Sequence, residues 1–226
     1  MPSACAGLSH GGRIILLLPT VQVALMSEAQ LPVIPRAVCV FCASSKSCAP
    51  GHHADARRLG ELLAQEGRTV IYGGSKSGSM GALANGALGG GGQVLGVLPN
   101  FLADMELAHD ALSELMLVDD MRTRKHLMLS RSEAVIALPG GTGTFEELLE
   151  TLTLKRLGLW TGAVIIVNRG GYYEPLRQLL EAAIDERFMA QQHADMWVFV
   201  DTVEAAVAAL DTAPAWSSAA RSFAAL

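Results

Sequence analysis

Charge is scarce in this chain. Acidic and basic residues together fill 17% of its 226 positions, and the formal net charge is −5. A nucleic-acid binder normally presents a basic face to the phosphates, so the balance argues against that class of partner. The one basic cluster, Arg122-Thr123-Arg124-Lys125-His126, is too short to track a duplex and suits a single phosphorylated small molecule. Cysteine is rare too, four in all, and provides no disulfide framework of the kind that staples small secreted domains. Cys39 and Cys42 have C-x-x-C spacing, but they lie in an apolar run that reads as a strand. Residues three apart on a strand point to opposite faces and do not converge on one metal, so both are expected to be buried structural thiols. There is no H-E-x-x-H and no Cys/His cluster of metal-binding spacing; His10, His52, His53, His109 and His193 read as surface or loop residues.

What remains is half hydrophobic by composition and long enough for one α/β domain with a substantial core. The apolar stretch Ile14 to Leu25 is too short to cross a bilayer comfortably. It resembles a signal-peptide core, or else precedes a true start at Met26; the second reading is favoured because nothing downstream looks secreted. Residues 1–35 are therefore expected to be an extension, 36–211 a single domain, and the Ala/Ser-rich stretch 212–226 a frayed tail. A cytoplasmic protein without a membrane partner is the expectation.

From residue 36 onward, strand and helix patterns alternate. Strands are expected at 38–42, 69–72, 93–98, 114–118, 134–138, 163–168 and 196–200. Helices are expected at 53–66, 82–88, 120–131, 144–157, 174–188 and 202–210, with an irregular stretch over 100–113. The inner strands are continuous apolar runs, as strands buried on both faces should be. Alternation with helices gives a doubly wound, mostly parallel α/β sheet with helices on both faces. Ligands in such sheets sit at the C-terminal strand ends. Three glycine- or serine-bearing loops fall there: Ala43-Ser44-Ser45, Gly73 to Gly81, and Pro139 to Thr144.

The last of these is the most telling. An apolar strand stops at Pro139, passes through Gly140, Gly141 and Gly143, and opens a helix expected to carry Glu146 and Glu147 in its first turn. Glycines let backbone amides approach an anion, and a helix N-terminus adds partial positive charge. Carboxylates at that place would repel a phosphate, so the combination fits a ligand anchored by phosphate at one end and reacting at the other. The first loop lacks G-x-G-x-x-G, and Gly140-Gly141-Thr142-Gly143 has no Walker lysine, which removes the dinucleotide and NTPase fingerprints. Plainer readings stand beside this one. Thr144-Phe145-Glu146-Glu147 matches a capping box, in which Glu147 only satisfies a free amide, and Glu146 reads as a solvated acid complementing the helix dipole. Arg124 lines up with Met121, Leu127 and Met128 on an apolar face, where an unpaired cation is costly; a carboxylate, a phosphate or a snorkelling stem would each resolve it. Lys125 alone reads as a surface lysine, and Arg122 and Arg131 as surface charges.

Together, Pro139-Gly140-Gly141-Thr142-Gly143-Thr144-Phe145-Glu146-Glu147 and the upstream Met121-Arg122-Thr123-Arg124-Lys125 resemble the Lonely Guy family of cytokinin riboside 5′-monophosphate phosphoribohydrolases, often mislabelled as lysine decarboxylases. The likeness covers roughly residues 36 to 211, including Phe41 to Ser45 and Tyr72-Gly73-Gly74. It implies a Rossmann-like fold, a homodimer, no metal or organic cofactor, and cleavage of the N-glycosidic bond of a purine nucleoside 5′-monophosphate. Carried over, the catalytic pair is Arg124 and Glu147. Substrate contacts fall on Glu106, Arg124, Lys125, Gly141, Thr142, Gly143, Thr144, Phe145, Glu146, Glu147 and Thr153. The second loop departs from the family's usual form at Ser75, Lys76 and Ser79, and Thr153-Leu154-Lys155-Arg156-Leu157-Gly158 stands where the family often has Thr-Trp-x-Gln-Leu-Gly. A non-catalytic nucleotide or molybdopterin-cofactor carrier on the same fold is the alternative. A pyridoxal-phosphate decarboxylase is a third reading, for which Lys155 and Lys76 offer no cofactor setting.

Overall fold

Runs of valine, isoleucine and leucine build seven parallel strands in a computed structural model that describes residues 14–17, 25–26, 31–103, 105 and 107–223. They are β3 (Val38–Phe41), β4 (Val70–Tyr72), β5 (Val94–Pro99), β6 (Glu114–Val118), β7 (Ala134–Ala137), β8 (Ala163–Val167) and β9 (Val198–Val200). Two short strands of the segment expected to be an extension, β1 (Ile14–Leu17) and β2 (Leu25–Met26), add antiparallel to the β6 edge. The remainder of residues 1–30 lies outside the described residues, as does Glu106.

The sheet order is β2-β1-β6-β5-β4-β3-β7-β8-β9. From β3 the chain winds outward through β4, β5 and β6, then crosses back to β7 and winds the other way. The reversal lies between β3 and β7, which pair in register from Val38↔Ala134 to Phe41↔Ala137. A crevice opens beyond the carboxyl ends of two strands whose connections leave in opposite directions, so this switch point is where a ligand is expected.

Helices cover both faces. On one, α4 (Met121–Ser130), α5 (Thr142–Arg156) and α6 (Glu174–Asp185) contribute Leu127, Met128, Leu148, Leu152 and Leu180 to a core that includes Cys39. On the other, α1 (Pro50–Gln65), α2 (Gly78–Gly89) and α7 (Val203–Ala209) contribute Leu59, Leu63, Leu83 and Val207 to a core that includes Cys42. The two cysteines thus face opposite ways, and both are free and buried. A short helix, α3 (Asn100–Ala103), occupies part of the stretch read as irregular.

Three helices begin earlier than their sequence patterns indicate. α1 starts at Pro50, whose fixed φ suits a first helical position. α2 starts at Gly78 and α5 at Thr142, absorbing residues that composition assigns to loops. Other expectations fail for tertiary reasons. His193 is fully buried against Trp216 and Phe223, with Nδ1 accepting from the Ala190 amide at 2.8 Å. Arg131 is buried and reaches Glu114 at 3.5 Å. The tail expected to fray packs back: Trp216 Nε1 donates to the Lys155 carbonyl at 2.7 Å and Arg221 Nε to that of Leu157 at 3.2 Å.

Candidate active site

Gly141 is the N-cap of α5, without a side-chain cap. The first in-helix backbone bond runs from the Phe145 amide to the Gly141 carbonyl at 3.1 Å. The amides of Gly141, Thr142 and Gly143 therefore find no acceptor among the described residues, as the geometry of a helix start requires. Gly141, Thr142 and Gly143 are exposed. A Cβ built on Gly141 or Gly143 meets nothing within 4 Å, so the backbone at both positions is uncrowded. Gly140 differs: a Cβ there would fall 2.1 Å from the Thr144 hydroxyl, and the turn closes only with glycine.

This start also removes the capping-box reading. Thr144 is the third residue of the helix and Glu147 the sixth, so Glu146 and Glu147 lie in the second turn rather than the first. Glu147 caps nothing. Its side chain is 6% exposed, makes no hydrogen bond among the described residues, and forms part of the wall of a cavity of about 650 Å³ between α4 and α5. Burial pushes its carboxyl up to about 7, against the pull of the neighbouring Arg124 charge.

Arg124, held on α4 by packing of Leu127 and Met128 beneath it, is also 6% exposed. It does not snorkel to water. Nη2 donates to the Gly73 carbonyl at 3.2 Å, Nη1 lies 3.6 Å from the Met121 sulfur, and Nε has no partner. No carboxylate lies within ion-pairing distance of Arg124 among the described residues. It and Glu147 feel each other's charge without forming an ion pair. Gly73 is what admits the guanidinium: a Cβ there would sit 1.9 Å from Nη2.

Lys125 points the other way, into an ion-pair bridge with Glu146 and with Glu150 at 2.9 Å. Those carboxylates hold its ammonium above the usual lysine range. The cavity is completed by Phe41, Thr123, His126, Leu129, Leu154 and Trp160 among others, a lining that mixes apolar and ionisable side chains. Thr142, Phe145, Glu146, Leu149, Glu150 and Thr153 line a second, shallower groove on the outer side of α5. The structure thus divides the predicted site residues: Lys125 and Glu147 on the cavity, Thr142, Phe145, Glu146 and Thr153 on the groove, and Arg124 beneath the β4 loop. Glu150 borders both spaces, and neither it nor Trp160 belongs to a motif legible in the sequence. Among the described residues no group of three or more His, Cys, Asp or Glu side chains is placed to hold a metal ion.

Residues 80–210, more than half the chain, match a family model described as possible lysine decarboxylase. A cytokinin riboside 5′-monophosphate phosphoribohydrolase from Rhodococcoides fascians is 39% identical over 184 residues, covering 81% of this chain and 93% of that protein. The chain belongs to the Lonely Guy family. An Arabidopsis thaliana member of that family is likewise 39% identical, over 69% of this chain and 73% of its own. Among solved structures, the molybdenum cofactor binding protein of Rippkaea orientalis has a TM-score of 0.61 at 20% identity, over 81% of this chain and 98% of that one. The molybdenum cofactor carrier protein of Chlamydomonas reinhardtii gives 0.60 at 22% identity, over 78% and 96%. At such identities the likeness concerns the Rossmann-like fold alone.

Proposed function

We propose that this Lonely Guy protein hydrolyses the N-glycosidic bond of purine nucleoside 5′-monophosphates, cytokinin riboside monophosphates and AMP among them, to free base and ribose 5-phosphate. The reading rests on the carboxyl of Glu147, buried on a cavity wall without a hydrogen-bond partner among the described residues, on the helix whose first amides are uncapped and within electrostatic reach of Arg124. Leaving either charge so placed is expensive unless a ligand completes the site.

The chemistry follows from those charges. As the C1′–N9 bond lengthens, its electron pair leaves with the base and positive charge builds on the ribose. Glu147, ionised, faces that charge and orients the water whose oxygen bonds to C1′; one water proton passes to the medium and the departing base takes one up. The amides of Gly141 to Thr144 bind the 5′-phosphate. Arg124 supplies positive charge for the phosphate or for the leaving base. The carrier alternative is supported by likeness of fold only.

The reading extends to a cytoplasmic homodimer. Its supports are the free thiols Cys39, Cys42 and Cys48, which fit a reducing compartment, and the exposed apolar side chains Met121, Leu149, Leu157 and Leu159 along the α4–α5 flank. Incubation with a panel of purine monophosphates, ribosides and bases tests the activity. Release of ribose 5-phosphate from the monophosphates alone is expected; stoichiometric binding with no base released would defeat the hydrolase reading in favour of a carrier.

A further inference from the structure

The loops at the carboxyl ends of the strands share a feature that the motifs do not announce. Four of their carbonyl oxygens accept hydrogen bonds from side chains. Tyr72 donates to the Ser75 carbonyl at 3.2 Å, Arg124 to that of Gly73 at 3.2 Å, Tyr173 to that of Leu138 at 2.8 Å, and Tyr172 to that of Gly140 at 2.5 Å. A carbonyl oxygen facing the crevice would repel an anion, so each of these contacts removes an obstacle to anion binding.

Tyr172 is the informative member. The other two tyrosines are almost wholly buried, and their hydroxyls need a partner for stability alone. Tyr172 is 43% exposed, and water could serve its hydroxyl equally well. Instead it is brought over the glycine turn by the loop after β8, where Gly170 and Gly171 take φ of 59° and 79°, a left-handed pair open to glycine at little cost. Its ring stacks obliquely on Phe145, at 28° with centroids 6.4 Å apart, and stands edge-on to Tyr173 at 5.0 Å. The side chain is therefore fixed from two sides before it meets the backbone.

We infer that Tyr172 is a positioning residue for the phosphate end of the substrate, orienting the Gly140–Gly141 peptide so that its amide faces the ligand. The peptide is trans, so the Gly140 carbonyl and the Gly141 N–H point in opposite directions. Holding the carbonyl against the phenol turns the Gly141 N–H to the other side, where it joins the Thr142 and Gly143 amides in the open space before α5. Without the phenol, the flanking glycines let that peptide rotate, and a carbonyl oxygen can enter the place where the anion belongs.

The inference rests on the proposed hydrolase reading for its substrate, but its test does not need turnover. Tyr172→Phe keeps the ring and removes only the donor. Ribose 5-phosphate affinity, measured by calorimetry on the full-length protein, is expected to weaken about tenfold, and KM for AMP to rise by a similar factor with kcat within about twofold. Adenosine, which lacks the phosphate, should bind the variant as it binds the wild type. A merely structural hydroxyl would lower the melting temperature and weaken both ligands alike, which overturns the proposal, as does unchanged ribose 5-phosphate affinity. Should the wild type bind ribose 5-phosphate but cleave no nucleotide, the hydrolase reading fails, and the affinity difference between the two proteins still decides the role of Tyr172.

Discussion

Helix α5 carries two buried charges, Glu147 in its second turn and Lys155 near its end, and the helix treats them in opposite ways. Both are perturbed toward neutrality by desolvation, the carboxyl up to about 7 and the ammonium down to about 8. Lys155 is nevertheless provided for. Its Nζ donates to the Gly162 carbonyl at 2.7 Å, the Trp216 ring lies 5.9 Å away, and the returning tail seals the position. Glu147 has no hydrogen-bond partner among the described residues and stands on a cavity wall. Burial and a shifted pKa are therefore shared by a functional and a structural group, and what separates them is whether the protein itself completes the coordination. An ionisable side chain left incomplete next to open space is the better marker of chemistry.

Glu147→Gln tests the contrast with the largest expected effect. The amide keeps the shape and loses the charge, and turnover of a nucleoside monophosphate should fall by about 10³-fold or more. The same change should raise stability. The folded pKa of Glu147 lies above its ordinary value of 4.5, so its contribution is fully present below pH 4.5 and is lost as pH rises through about 7. At pH 8 the glutamine variant should thus be the more stable protein by up to about 3 kcal/mol, with the gap narrowing toward pH 5. Urea unfolding at the two pH values reads this directly; a variant that is less stable at pH 8 would show that Glu147 has a structural partner after all.

If Glu147 works as a carboxylate, kcat/KM follows its ionisation. The rate should rise about tenfold per pH unit up to about pH 7 and then level off. A profile falling through the same region would assign it the role of proton donor instead. Arg124→Ala should cost about 10²-fold in turnover while the protein stays folded. Gly73→Ala approaches the same residue from outside. The new methyl would displace the guanidinium, and activity should drop by about tenfold or more with Arg124 still present. Full activity in Gly73→Ala would mean that the observed position of Arg124 is not the working one.

Sequence patterns reach as far as local periodicity and turn chemistry allow. Pro139 followed by glycines marks the end of β7, and the three- and four-residue spacing of Arg124 with Met121, Leu127 and Met128 marks its burial. The start of α5 at Thr142 is not legible locally because glycines and threonines are poor helix formers by propensity, and here the turn geometry and Thr144 packing outweigh that preference. Tyr172 and Tyr173 meet the glycine turn from 32 and 35 residues away. That contact exists only because β8 lies beside β7, and no local pattern encodes strand order, although the position of both tyrosines just past a strand's carboxyl end was a usable hint. His193 and the tail escape local patterns for a related reason: each is buried by the other.

The burial of Lys155 is legible in the sequence. Leu148, Leu152 and Lys155 stand at spacings of four and three on one face of α5, and the two leucines are core residues, so the lysine had to be inside. Its replacement gives the smallest expected effect on activity and the cleanest control for Glu147. Lys155→Met removes a buried charge and keeps most of the volume, leaving turnover within about threefold because the side chain does not reach the cavity. The folded pKa of Lys155 lies below the ordinary 10.5, so its stability contribution is present above that value and is lost as pH falls through about 8. At pH 7 methionine should therefore gain up to about 3 kcal/mol from the absent charge and lose about 1 kcal/mol from the unmet Gly162 carbonyl. A net stabilisation at pH 7 that shrinks by pH 10, with activity intact, would set Lys155 apart from Glu147 as a charge that the fold tolerates without using it. A fall in activity matching that of Glu147→Gln would instead erase the distinction between the two ends of the helix.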